Sequence, residues 1–104
     1  MAMITHMVLL KVKKDVPQAQ IARVFAALAG LQQAIRGITS FSGGAYSSPE
    51  GLQRGFTHAF CMTFQSAAAR DAYLPHPEHE QVKKLVLEVL EGGLDGVIAF
   101  DYAS

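Results

Sequence analysis

Apolar side chains recur along this chain in two rhythms, one of period two and one near 3.6, and the two alternate. Residues 3–12 (MITHMVLLKV) are rich in large and β-branched apolar side chains and are too short for a stable helix, so they predict a strand. Alternation puts His6, Val8, Leu10 and Val12 on one face and Met7, Leu9 and Lys11 on the other. Ile21, Val24, Phe25, Leu28, Leu31 and Ile35 then recur at helical spacing. This helix is expected to open at Asp15, with Gln18 three residues on as capping-box partner and Pro17 in the first turn, and to stop at Gly37. Residues 38–46 predict a second strand, and the pair Gly43-Gly44 marks a bulge or a sheet edge in it. The polar stretch 47–55 (SSPEGLQRG) reads as a loop.

The next run, GFTHAFCMTF at 55–64, is the clearest strand, with Thr57, Ala59, Cys61 and Thr63 on one face and His58, Phe60, Met62 and Phe64 on the other. Ser66 can cap a short helix, AAARDAY, by accepting hydrogen bonds from its free N–H groups. Pro75 ends that helix because the residue before a proline is pushed out of helical geometry. Pro77 starts another at its first position, with His76 before it as cap. Val82, Leu85, Val86, Val89 and Leu90 form the apolar stripe of this helix, which Gly92-Gly93 terminates. Residues 97–102 (VIAFDY) predict the last strand. The order β-α-β-β-α-β, with its second helix broken at 75–77, fits a single α+β domain over residues 1–104. The expected fold is a ferredoxin-like sandwich, a four-stranded antiparallel sheet with helices on one face.

Helices on one face leave the other to water, yet both faces of the first and third strands are apolar. Met7 and Leu9 oppose Val8 and Leu10, and Ala59 and Cys61 oppose Phe60 and Met62. A monomer would expose one of these sets, so the pattern predicts a homodimer whose two sheets close into a barrel. Burying such side chains stabilises association by roughly 1.5–3 kcal/mol each.

Charge narrows the partners. Nine basic and nine acidic residues cancel, and no basic cluster exists beyond Lys11, Lys13 and Lys14, so nucleic acid is not an expected partner. The single cysteine, Cys61, precludes an internal disulfide and fits a reducing cytoplasm; on the alternation it faces away from His58 and reads as a small buried hydrophobe. The N-terminus is apolar and then basic, the reverse of a signal peptide. No apolar run approaches the ~18 residues of a membrane span, so a soluble cytoplasmic protein without a membrane partner is expected.

Chemistry concentrates in one short stretch, YLPHPEHE at 73–80. His79 is the third residue of its helix and lies on the apolar stripe, three residues before Val82. There the free N–H groups and positive helix end favour a neutral imidazole, which can act as a general base; the alternative is a core histidine with one hydrogen bond. Tyr73 closes the preceding helix, and its hydroxyl can reach the same cleft, or it is a core aromatic with its hydroxyl at the surface. His6 and His58 share faces with large apolar neighbours, each a satisfied buried histidine or, with His79, part of one cluster around a cavity between sheet and helices. His76 and His79 are three apart, but His76 lies outside the helix, and neither HExxH nor a Cys/His ligand spacing occurs, so no metal and no cofactor is expected. Asp101 is expected to serve hydrogen bonding at a strand end.

HMVLLKVK, EGLQRGFTHAFCMTF, RDAYLPHPEHE and VIAFDY, in this order over nearly the whole chain, resemble the stress-responsive A/B barrel (Dabb) family. The resemblance implies the ferredoxin-like fold and a barrel-forming homodimer. One plant branch of the family contains polyketide cyclases, which close a linear poly-β-keto chain by intramolecular aldol condensation. The resemblance to them implies acid–base roles for His79 and Tyr73 and a pocket lined by His6 and His58. The first helix, VFAALAGLQQ, lacks the tyrosine those cyclases place near the pocket. The leading expectation is therefore a homodimer with a pocket for a small apolar or carbonyl ligand. The alternatives are an aldol-type cyclase or lyase using His79 and Tyr73, and a structural stress protein with no ligand.

Overall fold

The computed structural model describes residues 2–104. Its strands are β1 (Ile4–Leu10), β2 (Ile38–Ala45), β3 (His58–Phe64) and β4 (Val97–Ala103); its helices are α1 (Gln18–Ala34), α2 (Ala67–Tyr73) and α3 (Pro77–Val89). A 3₁₀ turn, Gly93–Gly96, precedes β4 and has no counterpart in the expected pattern. The sheet order is β2-β3-β1-β4, with every neighbouring pair antiparallel. This is the expected ferredoxin-like α+β arrangement.

One face of the sheet carries the core. Ile4, Val8, Leu10, Phe60, Met62 and Phe64 pack there against Val24, Leu28 and Leu31 of α1 and Val82, Val86 and Val89 of α3. The helical stripes explain why: residues three, four and seven apart line one side of a helix, so each helix buries a single row. Leu85 departs from the expected stripe. It is exposed, because the buried row of α3 runs through Val82, Val86 and Val89, and Leu85 falls beside it.

The start of α1 is a second correction. Pro17, in an extended conformation, is the N-cap, and no side chain caps the helix. The Pro17 carbonyl accepts from the N–H groups of Gln20 and Ile21, so the first turn closes on Pro17 and Asp15 lies outside it. The starts of α2 and α3 follow their signals, whereas β3 begins at His58 and not at Gly55, and α1 ends at Ala34, ahead of Gly37. Ser66 Oγ accepts from the Ala69 N–H at 3.1 Å, and His76 Nδ1 accepts from the Glu78 N–H at 3.1 Å. Gly37 ends the α1 connection with φ +95°, and a Cβ there would lie 2.6 Å from the Ala69 Cβ.

β2 is an edge strand, as the glycine pair suggested, but its register shift falls between Ile38 and Ser40 and not at Gly43-Gly44. Gly43 serves close packing instead: a Cβ there would come within 2.7 Å of the Phe25 ring. Cys61 lies on the outer sheet face and is half-buried, less enclosed than its expected role as a buried hydrophobe.

Candidate active site

A cavity of about 200 Å³ lies between the sheet and α3. Most of its wall is apolar, from Val8, Leu10, Phe60, Val82, Val86 and Leu90 among others; its polar side chains are His6, Tyr73, His79 and Lys83. Three chain features bring these together. Strand alternation turns His6 inward beside Val8. The break at Pro75 and Pro77 folds α3 back so that His79, in its first turn, returns to Tyr73 at the end of α2. Helical spacing then aligns Lys83 one turn beyond His79.

Tyr73 is the centre of the group. It is 1% exposed, and its ring lies 5.0 Å from Phe64, 6.1 Å from His6 and 4.3 Å from His79, centroid to centroid. Burial, reinforced by the charge of Asp101, pushes its phenol well above the usual range, so the hydroxyl keeps its proton and is free to serve as a donor. None of the side-chain hydrogen bonds among the described residues involves that hydroxyl.

His79 and His6 each have one ring nitrogen committed. His79 Nδ1 lies 2.8 Å from the Leu74 carbonyl, which can only accept, so Nδ1 carries the hydrogen and Nε2 of the neutral ring keeps its lone pair. Burial lowers the His79 pKa, against the opposing pull of the Leu74 hydrogen bond, which favours that neutral ring. His6 is buried, and its Nδ1 lies 2.5 Å from Asp101 Oδ1. Arg70 Nη1 donates to Asp101 Oδ2 at 2.8 Å and Arg70 Nε to Asp71 Oδ1 at 2.8 Å. Burial pushes the Asp101 carboxyl up, but the bonds from His6 and Arg70 outweigh it and hold the carboxyl below its usual range.

The structure thus unites His6, Tyr73 and His79 and leaves His58 out. His58 lies at the far end of β3, its ring 5.8 Å from Phe25 and its Nδ1 2.8 Å from Thr57 Oγ1, and it lines other depressions in the surface. The three-histidine cluster around one cavity is corrected to two histidines. The reason is distance along β3: His58 pairs with Leu10 in the sheet, whereas His6 pairs with Met62.

Arg70 and Lys83 are absent from the expectations drawn from the sequence, and Asp101 enters them only as a hydrogen-bonding residue at a strand end. Asp101 does more than finish a strand. It sits directly across the β1–β4 ladder from His6, a pairing set by a register 95 residues long in sequence. The available signal was its phase, since Asp101 alternates with Val97 and Ala99 on the inward row of β4. Among the described residues, no group of three or more His, Cys, Asp or Glu is arranged to hold a metal ion, and no helix is long and apolar enough to cross a membrane.

Comparison with known proteins places this architecture. The chain is 32% identical over 99 residues to the stress-response A/B barrel domain-containing protein HS1 of Arabidopsis thaliana, covering 95% of this chain and 87% of that protein. A dimeric ferredoxin-like protein of unknown function from a Jannaschia species superposes with a TM-score of 0.86 at 29% identity, covering 96% of this chain and 97% of that one. The hydroxynitrile lyase of Passiflora edulis shares the fold, with a TM-score of 0.87, 24% identity, and coverage of 98% and 93%. The model of the stress responsive A/B barrel domain matches residues 4–104, and the chain belongs to that family.

Proposed function

We propose that the cavity under α3 binds a small apolar carbonyl compound, and that His79 and Tyr73 carry out acid–base chemistry on it. The observation that carries this reading is the pairing of a neutral imidazole with a protonated phenol, rings 4.3 Å apart, at the polar end of an apolar cavity. With Nδ1 held by Leu74, His79 presents Nε2 as base. It takes a proton from the carbon beside the substrate carbonyl. The electron pair moves onto the carbonyl oxygen, which accepts a hydrogen bond from Tyr73. The enolate carbon then attacks a second carbonyl of the same molecule, and the alkoxide formed takes the proton back from Nε2. Run in reverse, the same steps cleave the bond, so aldol cyclisation and lyase chemistry share one site. His6, fixed by Asp101, lines the pocket beside them.

The functional unit in this reading is a homodimer joined through the outer sheet face. Met7, Ile98, Phe100 and Tyr102 are exposed there, and Phe100 is 63% exposed in the isolated chain. A cytoplasmic setting belongs to the same proposal, in keeping with the single free cysteine.

The test is a panel of small aryl ketones and poly-keto compounds, followed by thermal shift and by product formation. Wild type should bind at least one and turn it over. His79→Ala should lose about 10²–10⁴-fold in turnover. Tyr73→Phe keeps the ring, so a loss of turnover without a loss of melting temperature assigns the role to the hydroxyl. Equal turnover by wild type and His79→Ala would sink the mechanism.

A further inference from the structure

Of the polar side chains that line the cavity, Lys83 stands apart from His6, Tyr73 and His79. Asp101, outside the cavity lining, is ionised, holds His6 and pairs with Arg70. Its field reaches Tyr73, where it raises the phenol pKa alongside burial. Arg70, held by Asp101 and Asp71, is not among the lining residues, so the end of the cavity at His6 offers an anion neither arginine nor lysine. Lys83 lines the cavity from α3, one turn beyond His79, and its side chain is half-exposed. Among the described residues its ammonium pairs with Glu80 alone, at 3.0 Å, in a solvated contact on the same helix. The ammonium has three N–H donors, so a second carboxylate can pair with it beside Glu80, in a solvated contact worth at most about 1 kcal/mol. Glu80 itself keeps a favourable place in the first turn of α3, near the positive helix end.

From the place of Lys83 beside an otherwise apolar wall we infer that the cavity selects an amphipathic carboxylate, with its apolar body against Val86 and Leu90 and its carboxylate at the rim on Lys83. Lys83 is then the residue that sets specificity and orientation. The inference rests on the proposed ligand-binding role of the cavity and adds the charge of the ligand. The carboxylate stays in contact with water, where a lysine holds it without a desolvation penalty on either ion. The apolar chain supplies the affinity through the area it buries. A neutral compound of the same shape gains the second term and lacks the first.

Octanoate and 2-nonanone test this directly, because the ketone replaces one carboxylate oxygen by a methyl group. Their dissociation constants would be measured against wild type, Lys83→Gln and Lys83→Arg. Wild type should prefer octanoate by roughly fivefold, the worth of one solvated ion pair. The preference should shrink as salt is raised, vanish in Lys83→Gln and persist in Lys83→Arg, with 2-nonanone binding all three proteins alike. Equal affinities in wild type, or a preference that survives Lys83→Gln, would overturn the role of Lys83 while leaving the cavity a binding site. If neither compound binds, the ligand-binding role of the cavity fails together with the inference.

Discussion

The two faces of this sheet are built from the same kinds of residue and meet different fates. On the inner face Val8, Leu10, Phe60, Met62 and Phe64 lie under α1 and α3, with the His6, Tyr73 and His79 group between them. On the outer face Met7, Ile98, Phe100 and Tyr102 are exposed. Composition does not separate the two. Helix placement does, because both helices have their apolar stripes on the same side of the sheet. The difference teaches that an apolar strand face declares only a need for cover. The inner face is covered by the chain itself, and it is there that a cavity with polar groups at one end has formed. The outer face is the one through which we propose two copies join.

Truncation should show the contrast at its largest. Phe64 has no exposed surface and packs on Tyr73, so Phe64→Ala should cost about 3–5 kcal/mol of unfolding free energy. Phe100→Ala should leave the fold of each protomer intact and act on association alone. Urea unfolding at several protein concentrations separates the two, since only an associating species shows a midpoint that moves with concentration. A charge sharpens the same contrast. Phe100→Asp should halve the mass seen by light scattering, from twice the 11.2 kDa chain to one chain, with the circular dichroism unchanged. A wild-type protein already at one chain mass would remove the proposed dimer.

Much of the inner face was legible in the sequence, and the reason is local. Strand alternation and helical spacing are short-range patterns, so His6 beside Val8 and the Val24, Leu28, Leu31 row follow from neighbouring residues. The caps by Ser66 and His76 are equally local. What was not legible depends on long-range register. The His6–Asp101 bond joins residues 95 apart, and Arg70 reaches Asp101 from a helix whose docking the sequence does not state. His58 failed for a related reason: it shares an alternation row with Phe60 and Met62, but a row says nothing of where along it a cavity opens. Asp15 failed because Pro17 competes for the cap, and a proline there needs no side-chain partner.

Adjacent glycines give a smaller and cleaner contrast between the faces. Gly43 faces inward, where an added Cβ would lie 2.7 Å from the Phe25 ring and 3.0 Å from the Ala59 carbonyl. Gly44 faces outward, with nothing within 4 Å. Gly43→Ala should therefore lose about 1–3 kcal/mol through overpacking. Gly44→Ala should be neutral, or slightly stabilising through the unfolded chain. Melting temperatures of the two variants decide this, and equal values would mean that α1 yields to the strand.

The smallest effect concerns acid. Burial lowers the pKa of both His58 and His79 below 6.5, and both lie on the helix-covered side. Unfolding frees them to bind protons at 6.5, so between that value and their folded pKa values the unfolded chain holds more protons. Stability then rises with pH across this window and is lost as pH falls through it; above 6.5 the effect is absent. Asp101 acts with its own window, because its folded pKa is held below 3.8. Its contribution is complete above 3.8 and is lost only as pH falls towards the folded value. The two windows do not overlap near pH 5–6, so that range isolates the histidines. Urea unfolding at fixed protein concentration should show lower stability at pH 5.5 than at pH 7.5. The difference should shrink in His79→Asn, whose amide can still donate to the Leu74 carbonyl, and shrink further when His58→Asn is added. Phe100→Ala, on the uncovered face, should leave the difference as it is in wild type. A pH dependence untouched by both histidine substitutions would show that burial under the helices does not set their protonation, and the neutral base assigned to His79 would lose its physical ground.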